Sequence, residues 1–250
     1  MKSNLLTEIK QLFDREDLLR TTIPVPSYLF VQRYGREIND DMKEIAALFG
    51  QKEWFLFCSG NIKNEEKLLT GFKMALERHS GIGKEYTGSV LIEFSGEESE
   101  KEMEELLDYI NSQKHRLHCI YTVKVSERVK NIREQLENYG FVRVVQGEAY
   151  DAYEQIEIFQ NIVNEYQFQL EEEAQHYIVD FFRKQKWQET DAVKIRIQNM
   201  AKEIVYNKLM GGESENNRIK KEEVEQVFQA SQTSKVQKRQ IGFVIGGTEL

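Results

Sequence analysis

Apolar positions along this chain follow two rhythms, and the pattern changes once. Leu5, Ile9, Leu12, Phe13 and Leu19 recur at helical spacing and predict an amphipathic helix over residues 4–20. Pro24 and Pro26 stop it, leaving residues 21–26 as a connector. Five short, nearly continuous apolar runs follow, at 28–31, 54–58, 89–94, 117–123 and 141–145. Runs of this kind suit strands buried on both faces. Helical periodicity fills the intervals at 40–49, 65–79, 99–114 and 127–139. Strands alternating with helices of this length predict βαβ units and a five-stranded parallel sheet flanked by helices, an α/β core over residues 1–150.

After Tyr150 the β-type runs stop. Helical patterns cover 151–166, 171–185, 191–209 and 220–230 with no strands between them, which predicts a small all-helical domain over 151–230. Glu171, Glu172 and Glu173 place acids in a first helical turn, where they suit the helix dipole. Gly211 and Gly212 are expected to end the third of these helices. Residues 231–250 are polar and then Gly-rich, and read as a loosely held, flexible tail.

Composition narrows the classes. With 40% hydrophobic and 30% charged residues the chain reads as globular. A net charge of -8 argues against a general nucleic-acid binder, whose affinity would depend on a basic face. There is no apolar run of the roughly 20 residues needed to span a membrane, and the N-terminal MKSNLLTEIKQLFDRED has no signal-peptide core. A cytoplasmic protein is expected, with Cys58 and Cys119 as buried free thiols in apolar runs.

The most informative stretch is 27–50, SYLFVQRYGREINDDMKEIAALFG, which reads as strand, tight loop and helix, the shape of a phosphate-binding P-loop. A Walker A loop needs G-x-x-x-x-G-K-[ST]: glycines so that backbone N–H groups surround phosphate, a Lys for the β/γ-phosphates and a hydroxyl for Mg²⁺. Here the loop is Gln32-Arg33-Tyr34-Gly35-Arg36-Glu37-Ile38-Asn39. Ile38 stands in place of the Lys, Asn39 in place of the Ser/Thr, and Glu37 adds a carboxylate where anions would sit. A charge pair at 4 Å is worth about 4 kcal/mol at an effective dielectric near 20, so a neutral Ile38 forfeits an attraction of that order.

The order of elements resembles the AAA+ ATPases, and within them the CbxX/CfxQ group that includes the stage V sporulation protein K family. The segments that carry the resemblance are Val25-Pro26-Ser27 leading into the first strand, residues 27–50, Thr87-Gly88-Ser89-Val90-Leu91-Ile92, Phe141–Val145 with Tyr150-Asp151 and Ile156–Phe159, and Arg239-Gln240-Ile241-Gly242-Phe243. The resemblance implies a P-loop-type (AAA+) sheet followed by a helical lid domain. It also implies where catalytic residues belong, and each such position departs from the pattern. The Walker B acids fall on Phe94-Ser95; Glu93 is one place early, and a one-residue slip on a strand turns a side chain to the other face. The arginine fingers fall in 136–141, which holds no Arg, and the sensor-2 Arg falls near Val193, with Lys194 and Arg196 as inexact matches. The pore loop, Ser59–Asn64, lacks the aromatic-Gly pair that grips a polypeptide.

These losses predict a catalytically inactive, pseudo-ATPase subunit with no catalytic residue, no cofactor and no metal. It would act through protein–protein assembly, beside an active AAA+ subunit or with itself. Neither nucleic acid nor membrane is an expected partner. Two alternatives stay open: an atypical ATPase that handles ATP and Mg²⁺ with non-standard or partner-supplied residues, and an anion or small-molecule sensor using the core–lid cleft. Lesser candidates have bland counterparts. Residues 59–67 could form a second phosphate loop but read as an ordinary β–α turn. His115, His118 and Cys119 have metal-ligand types, but a Zn site needs four convergent ligands or three plus water, and Cys119 should point into the sheet interior while the histidines lie near its entrance. The acidic run 97–108 reads as a solvated helix face, with Met103, Leu106, Leu107 and Ile110 turned inward. His79 and His176 read as helix-surface residues. Tyr150, Tyr153, Phe159, Tyr166, Phe168, Phe181 and Phe182 read as domain core rather than a partner groove. Arg33, Arg36 and Lys43 could hold a phosphate or sulfate by charge alone.

Overall fold

The computed structural model describes residues 3–19, 25–62, 67–81, 84–211 and 217–238; of these, 17–19 and 231–238 are described by their backbone alone. The chain divides into two compact units. The first holds the described residues up to Ala149 together with Gln188–Asp191; the second holds Tyr150–Trp187 and the residues from Ala192 onward.

In the first unit the continuous apolar runs become strands β1 (Ser27–Gln32), β2 (Trp54–Cys58), β3 (Gly88–Phe94), β4 (Leu117–Lys124) and β5 (Val142–Gln146). All pair in parallel, in the order β2-β3-β4-β1-β5. Between and before them lie α1 (Asn4–Leu19), α2 (Met42–Leu48), α3 (Leu68–Ser80), α4 (Glu100–Ser112) and α5 (Val129–Glu137). The strands are apolar on both sides because both faces are covered. Tyr28, Phe30, Leu91, Ile120 and Val145 pack with Leu5, Leu6 and Ile9 of α1 and Met42 and Ile45 of α2. The alternate positions, among them Leu29, Val31, Phe57, Val90, Ile92 and Phe94, pack on α3, α4 and α5. Met103, Leu106, Leu107 and Ile110 are buried on the inner side of α4, whose start is fixed by a Ser99–Glu102 capping box.

In the second unit α6 (Ala152–Glu165), α7 (Glu172–Lys184), α8 (Val193–Met210) and α9 (Lys221–Lys238) surround Phe159, Phe182 and Phe228. Tyr150 and Phe168 are also buried, whereas Tyr153 and Tyr166 are exposed, so the aromatic set divides between core and surface. Two expectations need correction. Two-residue strands β6 (Gln169–Leu170) and β7 (Arg218–Ile219) pair in parallel where no strand was expected. Such short pairings satisfy a few backbone groups beside the helix starts and leave no periodic signature. The last helix also runs to Lys238, past the expected end at 230, because residues 231–238 contain no Gly or Pro to break it. Gly211 ends α8 with φ of -71°, so it needs none of the left-handed freedom of glycine. Residues 239–243 and 212, named above, lie outside the described residues.

Candidate functional site

The loop between β1 and α2 is built as a closed structure. Arg36 N–H donates to the Arg33 carbonyl at 2.9 Å, with Tyr34 at φ 56° and Gly35 at φ 67°, a tight turn of the mirror-image type. Gly35 takes that conformation without strain; Tyr34 adopts it despite its Cβ. Tyr34 N–H is engaged by the Glu189 carbonyl at 2.6 Å, and Asp41 N–H by the Ile38 carbonyl at 3.0 Å. Several amides that a phosphate loop would present to its ligand are thus used within the protein. Residues 39–41 form one 3-10 turn ahead of α2, with Asp40 and Asp41 in it.

The side chains follow the same plan. Ile38 is 1% exposed and packs among Leu5, Phe30, Met42 and Ile45 under the sheet. Arg36 is buried and its Nε donates to the Glu148 carbonyl at 2.9 Å. Arg33 pairs with Glu189 through Nη2 and with the Gln146 side-chain oxygen through Nη1. Gln32 donates to Thr122 Oγ1 at 3.1 Å. Asn39 donates to the exposed Glu37 carboxylate at 3.3 Å. The buried Asp41 carboxylate accepts Ser3 N–H at 2.6 Å, at the start of α1. Lys43 is exposed.

At the ends of β2, β3 and β4 the register places Cys58, Glu93 and Thr122 in one row, with Phe30 of β1 beside Thr122. Because side chains alternate across a sheet, Glu93 shares the face of Phe30 and Leu91, the face on which Ile38 packs. Phe94 lies on the opposite face, 1% exposed and stacked on Tyr121 with ring centroids 6.0 Å apart. The expectation that Glu93 turns away from the loop is therefore corrected: the acid one place early is the one on the loop's side. Cys58 Sγ donates to Glu93 at 3.5 Å, and burial together with that carboxylate pushes the thiol up to about 11.

Ser95 belongs to a clasp around Glu98. Glu98 accepts the N–H groups of Ser95 at 2.7 Å and Gly96 at 2.9 Å, and the hydroxyls of Ser95 and Ser59. Burial raises its pKa, but the hydrogen bonds from Ser59, from backbone and from Ser95 outweigh that, so the carboxyl lies below its ordinary value. Ser59 is thus committed to a loop clasp rather than to phosphate; residues 63–66 of the second candidate phosphate loop, and so the end of the pore-loop position, lie outside the described residues.

The other candidates disperse. His115 is exposed, while His118 is stacked on Phe49 at 3.4 Å with its Nδ1 buried and unpartnered; burial pushes its pKa down to about 4. Cys119 packs against the core on the other face, and burial pushes its thiol up to about 12. Among the described residues no group of three or more His, Cys, Asp or Glu could hold a metal ion. His79 stacks on Phe55 from the helix surface, and His176 is exposed. In the second unit Val193 is fully buried and the Arg196 guanidinium lies 6.0 Å from the Trp187 ring. No described helix is long and apolar enough to cross a membrane.

No family model and no curated protein sequence matches the chain. Solved structures do. Two variants of RuvB from Thermotoga maritima superpose with TM-scores of 0.60 and 0.57 at 12% and 10% identity, covering 91% and 90% of this chain and 68% of each RuvB chain. Orc1 of Aeropyrum pernix, solved in complex with DNA, gives 0.51 at 10% identity over 96% of this chain and 68% of its own. These are AAA+ ATPases, and the likeness is one of fold: a five-stranded parallel sheet with flanking helices, followed by a helical C-terminal part. The chain has the AAA+ fold.

Proposed function

We propose that this is a non-hydrolysing AAA+-fold protein, of the CbxX/CfxQ kind, that works through assembly with protein subunits in the cytoplasm and carries no nucleotide or metal cofactor. The observation that carries this reading is Ile38, 1% exposed in the core under the sheet. A lysine there would have to leave the core to reach a phosphate, and neighbouring loop amides already hold Arg33, Ile38 and Glu189 carbonyls. Loss of one such group costs orders of magnitude in rate; an arginine finger alone is worth roughly 10³–10⁵. A protein with this fold and a closed loop still presents surfaces for a subunit ring or scaffold. Calorimetric titration of the purified protein with ATP and Mg²⁺ to millimolar ligand tests the reading. No saturable heat is the expected result; saturable binding would overturn it. Light scattering after size exclusion, alone and with an active AAA+ protein, then reads the assembly.

A second reading has one observation in its favour. Glu93, the penultimate residue of β3, lies on the loop's side of the sheet, where a carboxylate could serve an atypical ATPase with ATP and Mg²⁺. That reading requires turnover that Glu93→Gln abolishes, and a phosphate-release assay separates the two.

A further inference from the structure

The two edges of the sheet are finished differently. At one edge β5 carries Arg143, whose guanidinium is held by Glu8 of α1 at 2.6 and 3.2 Å. Charged side chains of this kind blunt an edge against further pairing. At the other edge β2 reads Trp54-Phe55-Leu56-Phe57-Cys58, with no charge, no proline and no glycine. Among the described residues β2 pairs with β3 alone. Ser89 N–H donates to the Glu53 carbonyl at 3.0 Å, which fixes the phase of that pairing. Backbone groups of Glu53, Phe55 and Phe57 turn to β3, and those of Trp54, Leu56 and Cys58 turn outward.

The side chains at this edge are as open as the backbone. Phe55 and Phe57 are buried in the core that holds Phe72 of α3, but Leu56, on the other face, is 37% exposed. Met74 of α3 is exposed to the same extent. A groove of about 390 Å³ lies between the edge and α3, lined by Leu56, Phe57, Ile62, Met74 and Arg78 among others. The strand is also self-complementary. Run antiparallel to a second β2 about a twofold axis at Leu56, it sets Leu56 against Leu56, Phe55 against Phe57 and Trp54 against Cys58. The two Leu56 residues then exchange both backbone bonds, since both turn outward. The Cys58 N–H of each copy meets the Trp54 carbonyl of the other. Beyond the strand, Glu53 falls opposite Ser59 and Lys52 opposite Gly60, so no like charges meet.

We propose that the free edge of β2 is a homodimer contact, in which two copies of this chain join their sheets across an antiparallel β2–β2 pair. The second copy is recognised by main-chain hydrogen bonds and by apolar cover of Leu56. A contact of this kind uses the same patch on both copies and closes after two, so it gives a dimer rather than a ring or a filament. This rests on the reading of the protein as one that works through assembly, and it names the partner and the surface.

Size exclusion with light scattering on the full chain, from micromolar to submillimolar concentration, tests the contact. A dimer is expected for the parent chain. Leu56→Lys sets two ammonium groups against each other and is expected to weaken self-association at least about tenfold, as is Leu56→Glu with two carboxylates. An equimolar mixture of the two variants is expected to restore the dimer, because a contact that sets this position against itself turns the two charges into a pair. Leu56 is exposed, so both variants should fold, which circular dichroism checks. Should either fail to fold, hydrogen exchange of the parent chain decides: the Leu56 and Cys58 amides gain protection as concentration rises, and unchanged exchange overturns the proposal. A parent chain that is monomeric at every concentration, a parent assembly that both variants leave intact, or a mixture that stays monomeric also overturns it. Each of these leaves the non-hydrolysing reading standing. Binding of Mg²⁺-ATP by the parent chain would instead sink that reading, so the two failures are distinct.

Discussion

Ile38 illustrates how one side chain decides the chemistry of a loop. Restoring the missing lysine by Ile38→Lys is expected not to restore ATP turnover. It should destabilise the chain by about 3 kcal/mol or more, since it trades a packed apolar group for a buried ammonium. Urea unfolding and a phosphate-release assay read the two parts. His118 makes a second residue-scale prediction. Its folded pKa, about 4, lies below the ordinary 6.5, so the unfolded chain takes up the proton more readily. Stability from this group is full above about pH 6.5 and falls as pH drops toward 4, by about 3 kcal/mol at most. Stability against pH for the parent and His118→Phe measures it; the variant should lack this component. Substitutions at 38 and 39 are plain in the sequence, because Walker A chemistry specifies residue types. Burial of Ile38, and the pairing of Arg33 with Glu189 more than 150 positions away, are products of packing that spacing does not encode.

Among elements, the sheet and the helices of the first unit follow from pattern, because strands covered on both faces must be apolar throughout. Limits of pattern show where polar and apolar positions are few. β6 and β7 have two residues each, too short for a period. Facing is another limit: Glu93 and Phe94 are adjacent, and only the register against β4 decides which shares the loop's face. In the second unit α8 and α9 are joined by Lys208, buried at 4% side-chain exposure, with Glu223 at 2.9 Å. Glu223 also accepts Lys220 N–H at 2.7 Å near the start of α9. Glu223→Ala is expected to cost about 3 kcal/mol by stranding the buried ammonium, whereas Lys208→Met should cost far less, because it removes the buried charge itself and leaves Glu223 part-exposed and still accepting Lys220 N–H. Thermal denaturation of the two variants gives the order.

For the whole molecule, net charge sets one expectation apart from the comparison with Orc1. A chain at -8 has no long-range attraction for a phosphodiester backbone, so no binding to duplex DNA is expected near 0.15 M salt. Fluorescence anisotropy with a labelled duplex checks this, and a salt-sensitive rise would contradict it. The sequence by itself determined the AAA+ type of sheet, the helical part after Tyr150 and the mismatched residues of the loop. These are written locally: in continuous apolar runs, in helical periodicity and in residue types at fixed spacing. Only the tertiary structure decided that the loop is closed, that Glu93 rather than Phe94 faces it, and that Glu189 returns from beyond α7 to hold it. Such contacts join residues far apart in sequence, and their partners are chosen by packing and charge in three dimensions.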